Sequence, residues 1–129
     1  MRLLLDTHVL IWWLRDDPRL GPKPRAVIAD LESVVLFSLV SCWEASVKFR
    51  VGKMDITGTD VWRFAIDQKL QPIGVEPAHI HELDRLARIA GHRDPFDHLL
   101  LAQAKAEEAA LMTHDRALTE FGIRCIGVR

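Results

Sequence analysis

The sequence predicts a three-layer α/β/α sandwich around a central, mostly parallel sheet, and three observations predict it. Short apolar runs rich in Leu, Val and Ile alternate with helical stretches along the chain. Helix start signals built from Asp, Ser or Thr follow these runs closely. No repeat, low-complexity tract or linker interrupts the alternation, so the 129 residues read as one domain, residues 1–129. A chain of this size buries about two thirds of its unfolded surface.

The elements follow in order. Arg2 to Leu5 is the first strand, ended by Asp6-Thr7; Thr7 is the expected cap of a helix over Val9 to Leu14 that Asp16, Asp17 and Pro18 stop. A second helix starts at Pro24 and runs to Leu31, and Val34 to Phe37 is the second strand. Ser41-Cys42-Trp43-Glu44 has the S-x-x-E form of a capping box and opens a helix through Val51, with Gly52 just past it. Thr59 or Asp60 caps a helix reaching Leu70, and Pro72 to Val75 is a short extended segment. A long helix from Glu76-Pro77 carries Ile80, Leu83, Leu86, Ala87 and Ala90 on one stripe and closes at Gly91. Asp94 caps the next helix, with Pro95 at its first position and Asp97 in its first turn. Ala110 to Thr113 is a strand, His114-Asp115 begins a short helix, and Cys125 to Val128 is the last strand.

Composition narrows the function. Formal net charge is −1, so a nucleic-acid contact needs a local patch rather than a global basic field. No apolar run is long enough to span a bilayer, and the apolar start is broken by Asp6 and His8 with no small-residue cleavage site, which predicts a cytoplasmic protein without membrane contact. Cys42 and Cys125 form neither a CxxC nor a zinc spacing and read as small buried apolar residues. His79 and His81 are two apart on a predicted helix and face different ways, which argues against a zinc cluster.

The chemistry-bearing residues are acids. Asp6, Glu44, Asp97 and Asp115 each lie beside the end of a predicted strand or the start of the helix after it. In a parallel sheet those positions share the edge where open α/β folds bind ligands. Each acid also has a local explanation: Glu44 as partner of Ser41, Asp97 as a first-turn carboxylate favoured by the helix dipole, Asp115 as a cap, Asp6 as a turn former. Together they concentrate charge. Two ionised carboxylates about 4 Å apart repel by roughly 4 kcal/mol at an effective dielectric near 20, so a cluster demands protons or a hard cation such as Mg2+ or Mn2+.

The segments LLLDTHVLIWWL, S-x-x-S-x-W-E-A at Ser38 to Ala45, R-D-P-F-D-H-L-L-L-A-Q-A at Arg93 to Ala104, and L-M-T-H-D at Leu111 to Asp115 together resemble the PIN-domain nucleases. Within them the chain is similar to the VapC-type toxins of type II toxin–antitoxin modules, over its whole length. The resemblance implies a Mg2+- or Mn2+-dependent endoribonuclease in which Asp6, Glu44, Asp97 and Asp115 hold one or two ions. Asp6 and Asp97 are then the direct ligands, with Asp115 and Glu44 completing the shell directly or through water. Asp94 matches the helix-cap position of the motif and stays outside the shell. The same resemblance implies tRNA or ribosomal RNA as substrate, a cognate VapB-type antitoxin and a homodimer.

Candidate substrate contacts are Thr7 and Thr113 beside the acids and the cations Lys48, Arg50, Lys53, Arg93 and Arg116 near them in sequence, each of which could equally belong to a cap or a solvated face. His8, His98 and His114 lie near quartet acids. One of Trp12 and Trp13, together with Trp62, is a candidate contact surface. Two competing functions are a signalling receiver domain, which wants paired acids after the first strand and a lysine after the last, and a catalytically inactive PIN fold serving as an interaction module.

Overall fold

A computed structural model describes all residues, Met1–Arg129. Five strands, β1 (Arg2–Leu5), β2 (Val34–Ser38), β3 (Gln71–Ile73), β4 (Ala110–Met112) and β5 (Cys125–Ile126), form one sheet in the order β3-β2-β1-β4-β5. Every pairing is parallel. The helices are α1 (Thr7–Leu14), α2 (Pro22–Ala29), α3 (Leu39–Arg50), α4 (Gly58–Asp67), α5 (Pro77–Asp84) and α6 (Pro95–Ala106), followed by a 3-10 helix over Arg116–Phe121. None is long and apolar enough to cross a membrane.

Strand periodicity divides the core in two. Leu3 and Leu5, with Val35, Phe37, Ala110 and Met112, face a cluster built with α1, α2 and α4. Leu4, Leu36 and Leu111 face the other way, toward Leu100, Leu101 and Ala104 of α6 and Leu118 and Phe121 of the 3-10 helix. A strand covered on both faces must be apolar at every position, which is why β1 and β4 read as continuous runs. These are the three expected layers.

Topology fixes where a ligand binds. The chain lays down β1, β2 and β3 toward one edge, then returns to place β4 on the free side of β1. The β1/β4 junction is therefore the switch point, and the crevice beyond its carboxyl ends is the preferred site of such folds.

Several boundaries differ from the sequence reading. Asp6, not Thr7, caps α1, its Oδ1 accepting from Val9 N at 2.9 Å. Ser38 rather than Ser41 caps α3, accepting from Val40 N at 3.0 Å, so Ser41 and Glu44 lie inside the helix and form no capping box. Thr57 caps α4 in place of Thr59 or Asp60. In each case the cap is the last residue with extended backbone before the turn, a property of the chain path rather than of residue type. α5 ends at Asp84, six residues before Ala90. Leu86 and Ile89 still reach the second core, but from a bent segment.

A polar chain runs through the α5–α6 layer. The Ser38 hydroxyl donates to Gln103 Oε1 at 2.6 Å, and Gln103 Nε2 donates to the Gly74 carbonyl at 2.9 Å. Fully buried His79 accepts at Nδ1 from Glu76 N, so its Nε2–H donates to Glu107 at 2.8 Å. Arg2 holds the same Glu107 from β1.

Helix α4 packs closely on α3 at Gly58, where an added Cβ would stand 2.0 Å from the Cys42 carbonyl oxygen and 2.5 Å from Ser46 Oγ. Backbone on backbone cannot give way there. Gly58→Ala is expected to destabilise the fold by about 2 kcal/mol or more, read as a lower denaturation midpoint with an unchanged slope.

Candidate active site

Asp6 ends β1 at the switch point, its own N–H bonded to the Met112 carbonyl of β4 at 3.0 Å. Its carboxylate is divided in use: Oδ1 caps α1, while Oδ2 faces His114 Nδ1 at 3.9 Å. Asp115 repeats the pattern, with Oδ1 capping the 3-10 helix through Ala117 N at 3.0 Å and Oδ2 turned inward. The capping and functional readings of these acids are thus compatible, because a carboxylate has two oxygens. Asp97 sits in the first turn of α6 behind Asp94, whose Oδ1 accepts from Phe96 N and Asp97 N.

Glu44 arrives from the second turn of α3 and is buried. The Thr7 hydroxyl donates to its Oε1 at 2.6 Å, and Lys48 Nζ pairs with its Oε2 at 2.6 Å, one turn along the helix. Thr7 has one proton to give, so the Ser41 hydroxyl, 2.9 Å from the same Thr7 oxygen, is the donor in that contact. A buried carboxylate with both oxygens occupied is a satisfied one.

All four predicted acids meet. Asp6, Glu44, Asp97 and Asp115, joined by Asp94, Thr7, His8, Lys48 and His114, line a cavity of about 190 Å3 with no hydrophobic residue on its wall. Electrostatics there is unbalanced. Burial, above all, pushes Asp6 up to about 6, against hydrogen bonds from Thr113 and Val9 N that favour its charge. Asp97 rises to about 7, first by burial and then by repulsion from Asp94, Asp6, Glu44 and Asp115. Lys48 is the one lysine or arginine on that wall, and it is already paired. A group of carboxylates short of positive charge fits a hard divalent cation.

The other candidates scatter. Thr113 sits between two acids, its hydroxyl accepting from Asp115 N at 3.1 Å and favouring the charged form of Asp6. Arg116 is exposed on an adjoining cleft of about 910 Å3 that also holds Arg19, His114 and Arg129. Arg93 and Arg50 are exposed and off the cavity wall, and Lys53 opens on a groove with Arg15, Arg19 and Trp12 that shares His8 and Lys48 with the cavity. Trp12 belongs to the core, Trp13 is half-buried and packs against it, and Trp62 is exposed at the surface. Burial raises the Cys42 thiol to about 11, in keeping with an inert packing role.

Sequence reasoning missed His92 and Trp43. His92 Nε2 lies 3.8 Å from Oδ2 of both Asp97 and Asp115; it stands outside the recognisable motifs, and only the bend after α5 brings it there. Trp43 is 60% exposed and forms a surface stripe with Leu39, Val47 and Val51. Their four-residue spacing was the available signal.

Comparison with known proteins identifies the family and the fold. A family model described as "PIN domain" matches residues 3–123, nearly the whole chain. The chain belongs to the PIN-domain family. No curated protein matches it at the level of sequence. Among solved structures, the PIN domain described here is similar to VapBC2 from Rickettsia felis bound to a promoter DNA fragment, at 15% identity, TM-score 0.73 and full coverage of both chains. DNA-bound VapBC from Salmonella typhimurium matches at 14% identity and TM-score 0.70 over 100% of this chain and 99% of that one. VapBC-1 from nontypeable Haemophilus influenzae matches at 14% identity and TM-score 0.68 over 98% of each. The receiver-domain alternative fails on topology, since receivers use the strand order 2-1-3-4-5 and this PIN domain has 3-2-1-4-5.

The raised Asp97 pKa has a consequence for the metal-free protein. Between the unfolded value near 4 and the folded value of about 7 the native state binds the extra proton, so Asp97 makes stability fall as pH rises through that window. Asp97→Asn removes the effect. In chelator, thermal melts of Asp97→Asn should match the parent near pH 4 and exceed it at pH 8; equal melts at pH 8 would show that Asp97 carries no charge strain.

Proposed function

We propose that this PIN domain is a divalent-metal-dependent endoribonuclease, acting as the VapC-type toxin of a type II toxin–antitoxin module. The observation that carries the reading is the closed set of acids: Asp6, Glu44, Asp97 and Asp115 come from four separate segments to one polar cavity at the switch point. Burial, with repulsion from neighbouring acids, works against the charge of Asp6 and Asp97, as expected of ligands lacking their cation.

In this reading Asp6 and Asp97 hold one or two Mg2+ or Mn2+ ions directly, with Asp115 completing the shell. The ion supplies charge to polarise the phosphate and to acidify the attacking water. The chain's own residues prepare that site. The Val9 N–H fixes the Asp6 carboxylate through Oδ1, leaving Oδ2 on the side of His114. Glu44 already satisfies Thr7 and Lys48, so it acts through water or by orienting those two groups. Asp115, whose Oδ2 carries no hydrogen bond, is placed to accept the proton of the attacking water.

Substrate grip falls to Arg116, with its neighbours Arg19 and Arg129, in the cleft beside the cavity, and to Lys48. Support for RNA of the tRNA or ribosomal class, and for action in the cytoplasm, comes from the motif resemblance to VapC-type toxins. The similarity to three VapBC complexes supports a VapB-type antitoxin as partner. The exposed Leu39, Trp43, Val47 and Val51 stripe of α3 is apolar enough to serve a homodimer or that antitoxin.

Purified protein incubated with structured RNA should cut strands with Mg2+ or Mn2+ and stop with chelator. Asp97→Asn should lower the rate by about 100-fold or more while the fold, followed by circular dichroism, is retained. Chelator-insensitive scission, or full activity in Asp97→Asn, overturns the proposal. No scission by the wild type with either ion would favour a binding module instead.

A further inference from the structure

His92 stands beside Asp97 and Asp115, just off the wall of the acidic cavity, and neither caps a helix nor belongs to the carboxylate set. It sits in the turn between α5 and α6, its side chain 12% exposed, with its ring edge-on to Phe121 at 5.1 Å. Nε2 stands 3.8 Å from Asp97 Oδ2 and 3.8 Å from Asp115 Oδ2, too far for a hydrogen bond to either. All three atoms nevertheless lie within 4.8 Å of one another. Ligands about 2.1 Å from one ion stand about 3.0 Å apart when adjacent and about 4.2 Å when opposite. Closing the three around a single ion therefore takes small side-chain adjustments.

The far side of the ring is held. His92 Nδ1 lies 3.0 Å from His98 Nε2, a distance that requires one of the two to carry the proton. With Nδ1 as donor, the Nε2 lone pair points at the two carboxylates. A ring fixed through its second nitrogen is the arrangement by which metal-binding histidines are oriented. Asp115 is committed in the same way, its Oδ1 to the 3-10 helix cap and its Oδ2 to the side of His92.

We propose that His92 supplies a nitrogen ligand to the divalent ion shared by Asp97 and Asp115, and that this donor makes the centre select Mn2+ over Mg2+. The inference rests on the metal-dependent reading above and adds the donor and the preference. Mg2+ holds oxygen ligands and keeps its waters, whereas imidazole binds transition ions in preference, so a histidine in the shell strengthens Mn2+ more than Mg2+.

The test needs no substrate. Mn2+ and Mg2+ alone are titrated calorimetrically into wild type, His92→Phe, His98→Ala and Asp97→Asn, and the Mn2+ forms are examined by pulsed electron paramagnetic resonance for coupling to nitrogen. His92→Phe keeps an aromatic ring against Phe121 and removes the donor. It should lose the nitrogen coupling and weaken Mn2+ by about tenfold or more, while Mg2+ changes by less than about threefold. His98→Ala should keep the coupling and weaken Mn2+ less. A His114→Phe control, which removes the imidazole beside Asp6, should leave the signal intact. Should His92→Phe fail to fold, His92→Gln is read in the same spectrum. Wild-type Mn2+ binding that is lost in Asp97→Asn but shows no nitrogen coupling, or coupling that survives in His92→Phe, overturns the role of His92 and leaves the metal reading standing. Failure of the wild type to bind either ion overturns both.

Discussion

Like charges gathered at the carboxyl edge of a parallel sheet are the constraint around which this PIN domain is organised. Burial and repulsion both act against ionisation of Asp6 and Asp97, and the one ammonium on the cavity wall is already engaged by Glu44. The fold tolerates the concentration because most of these acids also do structural work. Asp6, Asp94 and Asp115 each satisfy backbone N–H groups at a helix start with one oxygen, and Glu44 is closed by Thr7 and Lys48. Local stability is thereby drawn from the same groups that create the electrostatic strain.

The sheet order turns sequence-distant acids into neighbours. Asp6 and Asp115 flank the switch point because β4 returns to the free side of β1, and α6 delivers Asp97 to the same edge because it leads into β4. Nothing local would bring residues 6, 44, 97 and 115 together. Solved relatives at about 15% identity keep this architecture, since any buried apolar residue serves a doubly covered strand.

Much of this was legible in the chain. The strands announced themselves because β1, β2 and β4 are buried on both faces, and the acid positions because each follows such a run. Cap assignments slipped where two polar residues competed: Ser38 and Ser41 both precede α3, and the choice depends on where the backbone turns rather than on which hydroxyl is present. The Leu86 and Ala90 stripe reads as helix by periodicity, yet packing against α6 bends the segment, and that override hid His92 from any pattern argument. Arg50 and Arg93 are near the acids in sequence but exposed and off the cavity wall, because on a helix end or a turn adjacency along the chain fixes no direction in space.

The buried chain from Ser38 through Gln103 to His79 and Glu107 sets a gauge for the whole edge. Gln103 lies on the same helix as Asp97, and its amide is pinned at both ends, to the cap of α3 and to the backbone beyond β3. Sliding α6 by one residue along its axis, about 1.5 Å, would break both bonds before the helix had moved the width of an atom. Polar pins two turns away thus hold the axial position of a carboxylate they never touch.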